Sequence, residues 1–165
     1  IDEVKVTPPN IVYEKGMEIW LGGYRLQLLY HGKGHTDGDT IVYIGQLRTV
    51  ITGDLVFNKK IPYMDDGYID EWIESLSYIQ LLKNETVIPG HGPIGGRPTV
   101  IAMKHYLLDL KGLVLQQLKD NKSLKETQEV VEPILREKYK GWKKLEWING
   151  NIERAWLEYS PKEGA

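Results

Sequence analysis

Three β-like runs in this chain each end beside glycine on a side chain that can ligate a metal, in the order His, Asp, His. The first site is the corner Gly34-His35-Thr36-Asp37-Gly38-Asp39, set between the apolar run Tyr24 to Tyr30 and the β-branched run Thr40 to Ile44. The second closes Val50-Ile51-Thr52-Gly53-Asp54, and the third closes Thr86-Val87-Ile88-Pro89-Gly90-His91-Gly92. Glycine beside each one lets the backbone bend sharply and aim the side chain. Taken singly, a histidine in a glycine-rich loop is most often a turn residue, and Gly-Asp is a common strand end. Taken together, they demand a sheet whose strand ends lie side by side and share one metal site.

The donor chemistry is restricted further by composition. The 165 residues contain no cysteine, so disulfides and thiolate ligands are excluded and a metal must use His, carboxylate or water. The length suffices for one domain with a real core. A net charge of -2 offers no basic footprint for nucleic acid. No apolar run is long enough to cross a bilayer.

In chain order, Val4 to about Asn10 reads as extended and limited by Pro8-Pro9. Ile11 to Tyr13, Met17 to Leu21 and Tyr24 to Tyr30 read as successive strands, turned at Gly16 and Gly22-Gly23. Thr40 to Ile44 and Arg48 to Thr52 follow, joined by Gly45-Gln46-Leu47, an antiparallel meander by economy of connection. Ile69, Trp72, Ile73, Leu76 and Ile79 recur at helical spacing and predict a helix over 69–83. After the Thr86 to Ile88 strand the sequence turns helical from Arg97, with a buried stripe from Val100 to Leu118. Ser123-Leu124-Lys125-Glu126 has the form of a capping box for a helix toward Tyr139, with a kink expected at Pro133; a last helix covers Asn151 to Tyr159. The expected division is 1–96, holding the sheet, metal loops and one helix, and 97–165, helices packed on the same domain.

Gly34-His35-Thr36-Asp37-Gly38-Asp39, Thr52-Gly53-Asp54-Leu55-Val56-Phe57 and Pro89-Gly90-His91-Gly92-Pro93 resemble the later metal-binding motifs of the metallo-β-lactamase superfamily. The C-terminal segment, with Tyr139-Lys140-Gly141-Trp142 and Asn151-Ile152-Glu153-Arg154, resembles the quinoprotein-relay-system zinc metallohydrolases within it. The resemblance implies an α+β fold: the C-terminal half of a four-layer αβ/βα sandwich, with a mixed, largely antiparallel sheet, flanking helices and a C-terminal helical extension. It implies a hydrolase that uses a metal-bound hydroxide as nucleophile. His35 corresponds to a ligand of one zinc ion, His91 to a ligand of a second, and Asp54 to the catalytic carboxylate shared by both. Thr36 and Asp39 are expected to orient His35 by accepting its other N–H.

The superfamily's earlier motif, His-x-His-x-Asp-His, is absent, and the only histidines are His31, His35, His91 and His105. Four of the family's ligands are therefore missing. With Ile1 rather than Met at the start, the chain reads as a fragment, an expressed C-terminal part or a product of proteolysis. Its zinc occupancy is expected to be weak or partial, and the isolated chain is not expected to hydrolyse substrate. Iron in a redox member of the superfamily is the alternative metal, and a non-catalytic binding or assembly module the alternative role. Expected partners are a small-molecule substrate in the intact parent, the missing N-terminal half, and a second copy in a homodimer or higher oligomer covering the exposed sheet face. No nucleic acid or membrane is expected. His31 and His105 read as packing or surface residues, Asp65 and Asp66 as a solvated turn, and Trp72, Trp142, Trp147 and Trp156 as core aromatics.

Overall fold

The computed structural model describes residue 5 and residues 7–161. Five strands form one sheet in the order of the chain: β1 (Gly16–Leu21), β2 (Tyr24–Leu29), β3 (Ile41–Ile44), β4 (Thr49–Phe57) and β5 (Thr86–His91). The first three pairings are antiparallel and β4–β5 is parallel. A parallel pair needs a crossover, and α1 (Ile69–Leu81) supplies it. Three helices follow, α2 (Arg97–Lys119), α3 (Leu124–Lys138) and α4 (Ile148–Tyr159). The result is a mixed sheet with flanking helices and a helical C-terminal extension. No helix among the described residues is long and apolar enough to cross a membrane.

The ladder register sorts the sheet into two faces. Tyr43, Val50 and Val87 pair in one row, with Leu29 and Ile41 in the next. This face meets α1 and α2, and Val50 and Val87 are fully buried there with Trp72, Leu76, Met103 and Leu107. Helices α3 and α4 add Val131, Leu135, Ile148 and Ile152 to the same core, which joins residues on both sides of position 96.

The opposite face carries Met17, Leu28, Val42, Ile51 and Ile88, one aliphatic side chain from each strand in a single register row. Ile19 pairs with Leu26 and Leu21 with Tyr24 on that same face. None of these nine residues is buried, and Leu21 is 66% exposed. A sheet with one solvated face alternates apolar and polar residues along its strands. Here β3 to β5 carry apolar residues on both sides, so the sequence is written for a second covering layer.

Two sequence expectations change. Ile11 to Tyr13 is not a strand: Ile11 and Val12 are exposed and unladdered, and only Tyr13 is tied down, through its hydroxyl to Thr40 Oγ1 at 2.5 Å. Apolar character without a partner strand does not make a ladder. The extended segment predicted from Val4 begins outside the described residues, and Thr7 to Pro9 has no regular structure. The strand through Val50 does not stop at Asp54 but continues to Phe57. Ser123 and Glu126 form the capping box reciprocally, and α3 runs on through Pro133.

Candidate metal centre

The His35 corner is folded by its own polar residues. Asp39 Oδ2 accepts the Thr36 backbone N–H at 3.0 Å, and Asp39 Oδ1 accepts the Thr36 hydroxyl at 3.1 Å. Gly34 is buried so tightly that a Cβ there would lie 2.4 Å from Leu55 Cδ2 and 3.0 Å from Asp39 Oδ2. Its carbonyl accepts the Tyr68 N–H at 2.8 Å, joining the corner to the start of α1. The imidazole then packs edge-on to Phe57 and Trp72, with ring centroids 5.7 and 5.5 Å away. Thr36 and Asp39 therefore act on each other and on the loop backbone. Neither accepts from His35, whose Nδ1 is buried without a partner. The expected direct hydrogen bond is replaced by aromatic packing, because the Asp39 carboxylate is already committed to closing the turn.

Asp54 is set by a break in β4. The ladder with β5 shifts register on both sides of Gly53, whose φ of 52° lies in the left-handed region. Such a bulge re-aims the next side chain without ending the strand. The β5 backbone comes in close beneath it: a Cβ on Gly90 would stand 1.9 Å from Asp54 Oδ1 and 2.6 Å from the Gly53 carbonyl carbon. Glycine at 90 is thus the condition for the carboxylate's position.

His91 closes β5 opposite Phe57, with ring centroids 4.9 Å apart. Its carbonyl accepts the Asn58 N–H at 2.8 Å, while Asn58 Nδ2 donates to Pro93 O at 2.7 Å. These two bonds hold the His91 loop against the end of β4.

The three side chains meet at one atom. Asp54 Oδ2 lies 3.5 Å from His35 Nε2 and 3.7 Å from His91 Nε2. Two donors bound tetrahedrally to one zinc at about 2.1 Å stand roughly 3.4 Å apart, so each imidazole–carboxylate pair has a spacing suited to a shared ion. The groups are also of the type that zinc takes, imidazole nitrogen and carboxylate oxygen. Among the described residues, however, no three His, Asp or Glu side chains are arranged to hold a single ion. The side chains are progressively more open, 17% exposed at His35, 36% at Asp54 and 45% at His91.

Other residues single themselves out only in three dimensions. Phe57 lies against both histidines. Trp72, read from its spacing as core, donates Nε1–H to Leu55 O at 2.9 Å and so grips the residue after Asp54. His31 stacks on Tyr78 with centroids 4.2 Å apart, and His105 is exposed on α2. Asp65 and Asp66 are exposed in their turn.

Comparison with known proteins places this geometry. A family model described as the metallo-beta-lactamase superfamily matches residues 8–91. The type 2 metallo-beta-lactamase of Bacillus cereus is 32% identical over 83 residues, covering 46% of this chain and 32% of that protein. The corresponding enzyme of Bacillus sp. (strain 170) is 31% identical over 81 residues, with the same coverage. The chain thus spans about a third of the length of these curated relatives. Among solved structures, a metallo-beta-lactamase from Pontibacter korlensis superposes with a TM-score of 0.58 at 24% identity, over 62% of this chain and 50% of that one. A stereoselective inverting sec-alkylsulfatase from Pseudomonas sp. superposes with a TM-score of 0.69 at 15% identity, over 92% of this chain and 27% of that one. These two similarities establish the fold. The family match spans His35, Asp54 and His91 together, and the chain belongs to the metallo-beta-lactamase superfamily.

Proposed function

We propose that this chain carries part of the two-zinc site of a hydrolase, with His35 on one ion, His91 on the other and Asp54 shared between them. The observation that supports this most is Asp54 Oδ2 within 3.7 Å of both Nε2 atoms, with no three His, Asp or Glu side chains arranged around a single ion among the described residues. Two incomplete pairs joined by one carboxylate suit two ions better than one. When bound at such a site, zinc supplies Lewis-acid polarisation of a carbonyl or ester oxygen and lowers the pKa of water.

The chain's own residues do the positioning. Asp54 places a negative charge between the two imidazoles, where it offsets repulsion between neighbouring cations. His35 is fixed by Phe57 and Trp72 on its flanks, which leaves Nε2 its free direction. His91 is the more open of the two. The remaining ligands belong, on this reading, to a segment of the His-x-His-x-Asp-His type outside these residues.

A zinc titration followed through the histidine ring resonances tests the assignment. His35 and His91 should shift together while His31 and His105 stay still, and Asp54→Ala should weaken both responses by about tenfold or more, since losing a ligand costs at least as much as the roughly 10–100-fold lost with a group that only orients one. A response from only one of the two, or an unchanged response in Asp54→Ala, rules out the shared carboxylate. Metal analysis after loading with zinc and iron in competition separates the two metals. Zinc-dependent ester cleavage well above background by this chain alone would contradict its expected incompetence.

The exposed sheet face leads to a second expectation. With no covering layer supplied, we propose that two copies stack their Met17, Leu28, Val42, Ile51 and Ile88 rows together, because an apolar surface of this extent favours burial. Light scattering at high concentration should give twice the chain mass, and Leu28→Lys should return the monomer. A monomer at every concentration would count against the stacking.

A further inference from the structure

Helix α1 begins without a cap of its own. Tyr68, the residue before it, makes no side-chain hydrogen bond to the first turn. Asp70 of that turn is engaged elsewhere, accepting from Lys111 Nζ at 2.6 Å and from the Tyr159 hydroxyl at 2.7 Å. The first N–H groups of a helix have no partner within it. Here the Ile69 N–H donates to both oxygens of Glu158, at 3.0 and 3.3 Å, from the last turn of α4. A carboxylate in that turn works against its own helix, whose C-terminal end already carries partial negative charge. Arg154, one turn back, holds it at 3.1 Å. The two side chains are 21% and 19% exposed, more enclosed than any other Lys or Arg pair with a carboxylate among the described residues, so this is not a solvated surface pair.

The head of α1 in turn holds the His35 corner. Tyr68 N–H donates to Gly34 O at 2.8 Å, and Gly34 N–H donates to Thr36 O at 2.8 Å. The Gly34 carbonyl belongs to the planar peptide unit that carries the His35 nitrogen. Fixing that oxygen therefore fixes the plane from which His35 departs. Lys33, the residue before Gly34, brings its ammonium to 4.2 Å from the Tyr68 ring centroid, and the Arg154 guanidinium lies 5.9 Å from the same centroid. Tyr68 and Ile69 are thus tied to α4 by Glu158 and Arg154, and to the corner by Gly34 and Lys33. A shift at the head of α1 is not absorbed at Gly34, which already lies hard against Leu55.

We propose that Glu158 is a positioning residue, which fixes the head of α1 from the far end of the chain and, through Tyr68 and Gly34, the orientation of His35. Its bearing on metal binding rests on the two-zinc reading above; its hold on the corner does not. The family match ends at residue 91, so this contact lets the C-terminal helical extension act on the candidate centre.

Amide hydrogen exchange and the histidine ring resonances of the full chain, recorded first without zinc, test the role. In Glu158→Ala the Tyr68 and Ile69 amides should exchange about tenfold faster, the scale of losing a helix-capping acceptor, and the His35 resonance should move. The Asn58 amide, which donates to His91 O, and the His91 ring should stay as in the parent. Glu158→Gln keeps an acceptor oxygen and should restore most of the protection together with the His35 position. Arg154→Ala keeps the carboxylate but removes its partner; it should give a weaker form of the same pattern, and it decides the matter if Glu158→Ala does not fold. Uniform acceleration of all amides, Asn58 included, or an unmoved His35 resonance in folded Glu158→Ala, overturns the proposal. Added zinc keeps the two readings apart. Histidines silent to zinc in the parent reject the metal assignment alone, and the exchange pattern still decides the hold on the corner. A parent that responds, with His35 and His91 weakened equally or not at all in Glu158→Ala, rejects the positioning role alone.

Discussion

Gly90→Ala is expected to lower the melting temperature by roughly 2–12 °C and to dislodge the Asp54 carboxylate at the same time. The added Cβ would stand 1.9 Å from Asp54 Oδ1, 2.6 Å from the Gly53 carbonyl carbon and 2.7 Å from the Gly53 oxygen. The carboxylate can rotate away at little cost. The Gly53 backbone cannot, because it is laddered to Pro89 at the bulge. Forcing β4 and β5 apart is an overpacking cost of about 1–3 kcal/mol, and for a chain of this size each kcal/mol moves the melting temperature by about 2–4 °C. Gly112→Ala provides the contrast. Gly112 lies in α2 with nothing within 4 Å of an added Cβ, so alanine there should stabilise by about 0.5–1 kcal/mol. Calorimetry on the pair, with the histidine resonances as a second readout, checks both halves of the expectation. If Gly90→Ala melts like the parent and leaves His35 and His91 unperturbed, the carboxylate is not held by close approach of the two backbones.

The contrast between those glycines also marks what a sequence can convey. That Asp54 lies near a glycine-rich turn is visible in Thr52-Gly53-Asp54, and strands ending on His, Asp and His predict convergence. The convergence is there, at a single carboxylate oxygen. The bulge is not legible, because a bulge is a relation between two strands: Gly53 shifts the register against Pro89, and β4 carries on to Phe57. Periodicity gave α1 and α2 within two residues at each end, since an apolar stripe of period near 3.6 is a local property. The apolar triplet Ile11 to Tyr13 misled for the complementary reason, as strand residues need a partner and this one has none.

Non-local satisfaction of polar groups is the other hidden part. Asp39 follows His35 closely enough to look like its hydrogen-bond acceptor, yet both carboxylate oxygens are taken by Thr36. The start of α1 shows the same effect at longer range. Tyr68 offers no side-chain cap, and the Ile69 N–H at the head of the helix is met instead by Glu158 of α4, whose two oxygens lie 3.0 and 3.3 Å away. Burial pushes the Glu158 carboxyl above its ordinary range, while Ile69 N–H and Arg154 draw it back down. Nothing in the local pattern around Tyr68 announces a cap from ninety positions downstream (89 in sequence separation).

Trp72 unites these threads, and its replacement should have the largest effect of any single change. The side chain is fully buried, so Trp72→Ala should cost about 3–5 kcal/mol, a drop in melting temperature of roughly 6–20 °C. Loss of stability alone would be the fate of any large core residue. The informative variant is Trp72→Phe, which keeps most of the packing but removes the Nε1–H that donates to Leu55 O. A buried carbonyl left unpaired costs about 1–3 kcal/mol. Its position makes the consequence directional, because Leu55 follows Asp54 and the Trp72 ring also lies 5.5 Å from the His35 imidazole. His91, held from the other side by Phe57 and Asn58, touches neither. Trp72→Phe should therefore weaken the zinc response of His35 several-fold more than that of His91, at temperatures where the variant is fully folded. Equal weakening of the two histidines would mean that Trp72 only stabilises the domain. A selective loss at His35 would establish that α1, laid across the sheet by its apolar stripe, also sets the geometry of one half of the candidate metal centre.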